Sequence, residues 1–267
     1  MSLIKDYYNM KRCLIYFLSV SFILIVSIGN SIAQDFKGGI VKYQKTTKYN
    51  FEPSDNQRWN DLIADLPKEK EFAFVLYLTH EEALYEENLV EQEAIPHELR
   101  RALHRQSFSE PPQPKAEKVY YNISKGKKFK QMEFMTRNFI VESEIKNQEW
   151  KLNSELTKIL NYNCMNAEIV IDGQEIRVWF TSEIPVPVGP DEYYGLPGLI
   201  LAVEKNGVTI LLATSIELTI PTKEQLTKPK DGKKLSPEKF EKIVEEKKEE
   251  FRKTGGMRHK GKGKGRH

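Results

Sequence analysis

Cysteine is nearly absent from this chain, whose 267 residues include only Cys13 and Cys164. Cys13 stands in an N-terminal segment that we predict to be removed, so one thiol remains in the mature protein. A single thiol cannot form an intramolecular disulfide. Stability must therefore come from buried apolar surface, for which the remaining residues are numerous enough to form a sizeable core.

Familiar catalytic motifs are also missing. The sequence contains no Gly-x-Ser-x-Gly, no His-Glu-x-x-His and no Cys-x-x-Cys. These absences argue against a serine hydrolase with a nucleophile elbow, a zinc protease of the helical type and a dithiol oxidoreductase.

An apolar run long enough to span a bilayer is lacking as well, because the longest one covers only residues 14–28. Basic residues precede this run and the small-residue sequence Ser31-Ile32-Ala33 follows it, which is the layout of a signal peptide. We predict cleavage after residue 33 and an exported protein, periplasmic or extracellular, with no lipid anchor and no transmembrane segment. An uncleaved membrane anchor is the alternative.

Charge is distributed unevenly along the chain. Residues 253–267 hold six lysine and arginine residues, five glycines and no acidic residue, whereas the rest of the mature chain is acidic. Such a tail cannot bury enough surface to offset its ordering entropy, so we predict it to be disordered. It is a candidate for contact with an anionic envelope surface, and export argues against nucleic acid as a partner.

The remaining sequence reads as short strands separated by turns, which predicts a mainly β protein. We expect a curved antiparallel sheet or half-barrel meander over residues 34–228, with 80–117 as a surface insertion. A C-terminal helix is predicted for 229–252, since Ser236 and Pro237 form a helix start and an apolar stripe with Phe240 and Val244 follows. This helix either docks on the sheet or binds a partner or membrane surface.

Two turns predict hairpins and their registers. Asp172-Gly173 pairs Ile169 with Ile176 and Met165 with Phe180 on a core face, and it places Cys164 on the other face. Asn206-Gly207, read as a two-residue turn, pairs Val203 with Ile210. Both faces of the second hairpin are apolar, which predicts cover on both sides.

A conspicuous run precedes the second hairpin, Gly195-Leu196-Pro197-Gly198-Leu199-Ile200. Pro197 and Gly198 suit the central positions of a type II turn that leads into a buried strand, so a structural role is favoured over a ligand loop. With the flanking Trp150-Lys151-Leu152, Tyr162-Asn163-Cys164 and Gly189-Pro190, the run resembles the GLPGLI (Porph_ging) family. That resemblance implies an exported protein of Bacteroidota without an established biochemical role.

Candidate binding residues are aromatic or sulfur-containing side chains on the predicted strands, namely Trp179, Cys164, Phe74 and Tyr77. His97 and His104 would share a helix face, but two ligands are too few for zinc. We therefore predict no catalytic residue, metal or cofactor.

Three functional hypotheses follow. The first is a non-enzymatic cell-envelope protein that binds an unknown envelope protein or an apolar ligand in the curve of its sheet. The second is an exported enzyme or accessory factor that uses Cys164 or the His97/His104 region. The third is an outer-membrane assembly component whose basic tail reaches an acidic partner.

Overall fold

The computed structural model describes residues 36–107, 110–207 and 209–254, which contain one twelve-stranded sheet and three helices. The strands are β1 Gly39–Lys48, β2 Glu69–Leu78, β3 Glu82–Glu87, β4 Lys115–Asn122, β5 Lys127–Phe134, β6 Arg137–Glu144, β7 Lys151–Ile159, β8 Tyr162–Ile171, β9 Gln174–Thr181, β10 Leu199–Lys205, β11 Thr209–Glu217 and β12 Lys233–Leu235. The helices are α1 Gln57–Ala64, α2 His97–Ser107 and α3 Pro237–Thr254. The predicted signal peptide and nearly all of the predicted tail lie outside the described residues.

The strands follow the order β12-β6-β5-β4-β3-β2-β1-β11-β10-β9-β8-β7. Every neighbouring pair is antiparallel except β12 and β6, which run parallel. Most strands therefore lie beside their neighbours in sequence, as in a meander, and the β1–β11 pair joins the two halves.

The connection between β6 and β7 forces this sheet to curve. These strands are second and last in the order, so ten strand spacings separate them, or ~48 Å in a flat sheet. Residues 145–150 join them, and six residues span at most ~25 Å. The sheet is thus strongly curved but open, with β12 and β7 at its edges. The prediction of a mainly β, curved antiparallel sheet is confirmed.

Alternate residues of each strand point to the inner or the outer side of the curve. The inner face carries Val41, Leu76, Val119 and Val178 among other buried side chains. On the outer face a smaller cluster of Leu84, Tyr120, Phe129 and Ile140 packs against Leu226, which follows β11.

Helix α3 covers one end of the inner face. Its Phe240 and Val244 pack on Met132, Phe139 and Val141 of β5 and β6. The helix begins at Pro237, and the Phe240 amide donates to the Ser236 carbonyl at 3.1 Å. The predicted C-terminal helix is present and docks on the sheet through its apolar stripe, but it begins at Pro237 rather than at residue 229, because the preceding residues include β12.

The first predicted hairpin register is confirmed. Ile169 opposes Ile176 and Met165 opposes Phe180, with Ala167, Val178 and Phe180 buried on the inner face. The second register is wrong by one residue, because Val203 opposes Leu211 and Lys205 opposes Thr209. Three residues rather than two separate these strands. Consequently Ile210 and Leu212 are exposed, and the hairpin is not covered on both faces.

Residues 80–117 differ from the predicted surface insertion. They include β3, a central strand whose Ala83, Leu84 and Tyr85 are buried, and the first three residues of β4. Only the part around α2 lies apart from the sheet, where its Leu99 and Ala102 pack with Trp59 of α1.

The Leu196–Leu199 corner is not the predicted type II turn. The Gly198 amide donates to the Leu196 carbonyl at 2.8 Å, which makes a three-residue turn around Pro197, and the Leu199 amide donates to Ile184 instead. Gly198 has φ +155°, and a Cβ there would lie 2.0 Å from the Thr181 carbonyl oxygen. Close backbone approach is therefore what requires this glycine.

Gly198→Ala tests that requirement, with Gly207→Ala as its control. Gly207 also has a positive φ (+65°), but no atom lies within 4 Å of an added Cβ. We expect Gly207→Ala to cost ~1 kcal/mol of unfolding free energy from its φ alone. Gly198→Ala should cost ~2 kcal/mol more, since the Cβ collides with backbone. Equal urea midpoints for the two variants would contradict the close approach.

Candidate functional site

The long connection between β9 and β10, residues 182–198, lies in the curve of the sheet and is called the inner loop here. Its prolines at 185, 187, 190 and 197 lack the amide that a strand ladder needs. Alternate residues Ile184, Val186 and Val188 are nevertheless buried, so the loop is extended and packed. Tyr193 and Leu196 join the core cluster of β8, β9 and β10.

The tip of the inner loop carries two consecutive carboxyl residues, Asp191 and Glu192. Val188 and Tyr194 form a bridge, and the Tyr193 amide donates to the Pro190 carbonyl at 3.4 Å, which closes a tight turn. Asp191 sits in this turn with φ +56°, a conformation uncommon for a residue other than glycine.

Glu192 forms two ion pairs with β5. Its Oε1 lies 2.9 Å from the Lys130 Nζ and its Oε2 lies 3.1 Å from the Lys128 Nζ. The lysine side chains are 11% and 21% exposed, whereas that of Glu192 is 38% exposed. Burial raises the pKa of Glu192, but the two lysine charges outweigh it and hold this pKa below its usual value.

Asp191 has the opposite electrostatic environment. Burial raises its pKa, and the neighbouring charge of Glu192 raises this pKa further, against weaker opposing effects of Lys45, Lys130 and Lys205. The residue as a whole is half-buried. Two adjacent carboxyl groups with pKa values displaced in opposite directions are typical of acid–base sites.

Hydrogen bonds fix the inner loop from both sides of the curve. Tyr121 Oη of β4 donates to the Asp191 carbonyl at 3.0 Å, and Tyr43 Oη of β1 donates at 2.6 Å to the carbonyl of Ile200, which lies in β10 just beyond the loop. Burial raises the pKa of both tyrosines, so both remain protonated donors. From the β6–β7 connection, Trp150 Nε1 donates to the Tyr194 carbonyl at 2.8 Å. The carboxyl pair is therefore held in a defined position.

A cavity of about 560 Å³ gives access to Glu192. It lies between α3 and the inner face, where Met132, Phe240 and Val244 supply apolar walls and Lys128, Lys130 and Lys248 supply charge. Ligand sites of this size commonly combine apolar walls with a few convergent polar groups. The candidate site is this cavity with Glu192 in its lining and with Asp191 next to Glu192 in the chain.

The predicted site residues do not meet in this place. Phe74 lies on the inner face of β2, stacked on Tyr85 at 5.2 Å, whereas Tyr77 lies on the outer face of the same strand. Trp179 and Cys164 lie on the outer face of β9 and β8. Of the run Gly195–Ile200, Leu196, Leu199 and Ile200 are buried where the inner loop enters β10.

Sequence reasoning missed Asp191, Glu192, Lys128 and Lys130. One signal was present, because Lys128 and Lys130 alternate with Phe129 and thus point toward the face opposite an aromatic core residue. Their partner lies about sixty residues further along the chain, and nothing local connects the two segments.

The second functional hypothesis does not fit the described geometry. Cys164 is fully buried, and burial raises its pKa to about 11, so its thiol is protonated at neutral pH. His97 is exposed on α2, and its Nδ1 lies 3.4 Å from the Oε1 of the adjacent Glu98. Across the described residues, no cluster of three or more His, Cys, Asp or Glu side chains suits a metal ion.

Burial predicts that native Cys164 resists alkylation. With iodoacetamide at pH 8, we expect modification at least ~100-fold slower in the folded protein than in urea, because the reactive thiolate is scarce and enclosed. Peptide-resolved mass spectrometry separates Cys164 from Cys13. Comparable rates in the two states would show that the thiol is accessible and activated.

Comparisons with known proteins agree on one family. The family model described as "N-glycanase peptide, N-terminal domain" matches residues 102–237, just over half of the chain. Two structures of PNGF-II, in the P21 and C2 space groups, superpose with TM-scores of 0.51 and 0.52 at 16% identity. Each covers 79% of this chain, which spans about a third of the PNGF-II chain (34% and 33%). No curated protein sequence matches.

These findings correct two predictions. The GLPGLI assignment is wrong, since the matching family model and fold are those of the N-glycanase. The hypothesis of a non-enzymatic envelope protein of unknown role is wrong for the same reason. Export is confirmed, because the matched family is one of secreted bacterial proteins. No helix among the described residues is long and apolar enough to cross a membrane.

Proposed function

The chain belongs to the N-glycanase peptide N-terminal domain family, and on this basis we propose that it takes part in the enzymatic removal of N-linked glycans from glycoproteins. It would meet these substrates in the periplasm or outside the cell. The proposed site is Glu192, which lines the cavity beneath α3, together with Asp191, the preceding residue of the inner loop.

The observation that carries this proposal is the position of the pair within the family match. Residues 102–237 include β5, with Lys128 and Lys130, and the whole inner loop. The segments that form the candidate site are thus the segments by which the chain is assigned to the family.

The chemistry of glycan release supports the same site. Hydrolysis of the amide that joins a glycan to asparagine requires a proton for the leaving nitrogen and a base for the attacking water. Asp191, whose pKa is raised, remains protonated to a higher pH than an ordinary carboxyl group. Glu192, whose pKa is lowered, is ionised and able to accept a proton. In this assignment Lys128 and Lys130 orient Glu192.

Glycan release by the purified protein tests the proposal. A denatured glycoprotein with N-linked glycans serves as substrate, and released glycans are labelled and quantified while peptide masses report conversion of asparagine to aspartate. We expect release by the wild type and a loss of ~100-fold or more in Asp191→Asn and Glu192→Gln, as for removal of an acid–base group.

Glu142→Gln is the matched control. Glu142 also pairs with a β5 lysine, Lys127, at 2.7 Å, but on the outer face of the sheet. This variant should keep wild-type activity. Absence of release by the wild type would contradict the proposed function, and equal activity in Glu192→Gln would contradict the proposed site.

A further inference from the structure

The outer face of β7–β10 carries two adjoining cross-strand rows of residues, of which the first is charged and the second begins with two asparagines. In the first row, Lys151, Glu168, Arg177 and Glu204 stand opposite one another on successive strands. The second row runs through Asn153, Asn166, Trp179 and Ala202 on the same strands. We call this surface the outer platform; it lies on the face opposite to Glu192.

Contacts within the platform hold its polar groups in place. The Arg177 Nε lies 3.0 Å from the Glu168 Oε1, with side chains 48% and 35% exposed. Asn153 Nδ2 donates to Asn166 Oδ1 at 2.8 Å. Asn166 is itself buried and donates to the Val178 carbonyl at 3.3 Å. Asn166 therefore supports Asn153 from within the protein, whereas the exposed Arg177 and Glu168 are ordered before any ligand arrives, which lowers the entropic cost of binding.

A row of cross-strand ion pairs is ordinary on an exposed sheet, but this row borders a cavity. The cavity has a volume of about 590 Å³ and is lined by Lys151, Glu168, Arg177, Glu204 and Asn206 together with apolar atoms of Ile176 and Val170. That volume lies within the range of small-molecule sites, roughly 300–1,000 Å³.

Trp179 adds a flat apolar surface beside the charged row. Trp179 is half-buried and stands opposite Ala202 of β10. Trp side chains combine a broad apolar face with an N–H donor, and they are enriched at binding surfaces for that reason.

These features together fit a carbohydrate. A sugar ring presents a C–H face that packs on an aromatic ring, and its paired hydroxyl groups both donate and accept hydrogen bonds. Carboxylate, guanidinium and amide groups in fixed planes match such pairs. The cavity lining holds four glutamates, the residues at 149, 168, 175 and 204, against Lys151 and Arg177, so a negatively charged glycan is disfavoured.

We propose that the outer platform is a binding subsite for neutral oligosaccharides, separate from the site in the curve of the sheet. That the oligosaccharide is an N-linked glycan rests on the proposed function. Binding there anchors the glycan while the glycoprotein is processed on the inner side.

Titration with free oligosaccharides tests this subsite. The probe is a neutral mannose-rich oligosaccharide released from a glycoprotein, with a sialylated oligosaccharide in parallel, and isothermal titration calorimetry measures affinity. We expect the wild type to bind the neutral probe and to bind the sialylated probe at least ~10-fold more weakly. Arg177→Ala should lower the affinity for the neutral probe by ~10-fold or more, which is equivalent to about 1.4 kcal/mol.

Two further variants complete the experiment. Trp179→Ala should also lose affinity, and circular dichroism shows whether this variant is folded. If it is not, the affinity of Arg177→Ala alone tests the subsite, because that substitution alters an exposed side chain. Lys127→Ala removes a comparable outer-face ion pair at β5 and β6 and should bind as the wild type does.

Outcomes separate this inference from the proposed function. Absence of binding, unchanged affinity in Arg177→Ala, or preference for the sialylated probe overturns the subsite, even if the protein releases glycans. Binding with the expected losses supports the subsite, even if no glycan is released, in which case the proposed function alone is overturned.

Discussion

The short connection between β6 and β7 is the constraint on which the rest of the structure depends. Six residues join strands at nearly opposite ends of a twelve-stranded order, so the sheet has to curve until those ends approach each other. Curvature creates an inner face with a large apolar surface. That surface needs cover, which α3 supplies at one end and the inner loop supplies elsewhere.

The inner loop connects the two ends of the curve as well as filling it. Trp150, from the β6–β7 connection, donates to its backbone, and Lys128 and Lys130 of β5 bind Glu192 at its tip. The two lysine contacts also hold the pKa of Glu192 below its usual value, whereas burial and the charge of Glu192 raise the pKa of Asp191. The contacts that hold the inner loop in the sheet therefore meet at the candidate site, which favours the inner face as the position of the reaction that we propose.

Much of the fold was predictable from local sequence, whereas the candidate site was not. The register of β8 and β9 follows from one Asp-Gly turn and the alternation around it. The predicted register of β10 and β11 was wrong because the Asn206-Gly207 dipeptide, typical of a two-residue turn, here lies in a three-residue loop. Strand β3 was obscured by its flanking glutamates. Glu192 gains its role only from lysines that the folded sheet brings to it, and the Gly195–Ile200 motif that begins three residues later is the more conspicuous local signal.

A double-mutant cycle between Lys130 and Glu192 tests most directly whether the ion pair between β5 and the inner loop stabilises the curved sheet. The variants are Lys130→Met, Glu192→Gln and their combination, and urea unfolding gives the coupling free energy. Because both lysines are largely buried and Glu192 is partly exposed, we expect coupling of ~1–2 kcal/mol. The exposed Lys127–Glu142 pair, measured in the same way, should give less than ~1 kcal/mol. Coupling at Lys130–Glu192 no larger than at this surface pair would contradict the account.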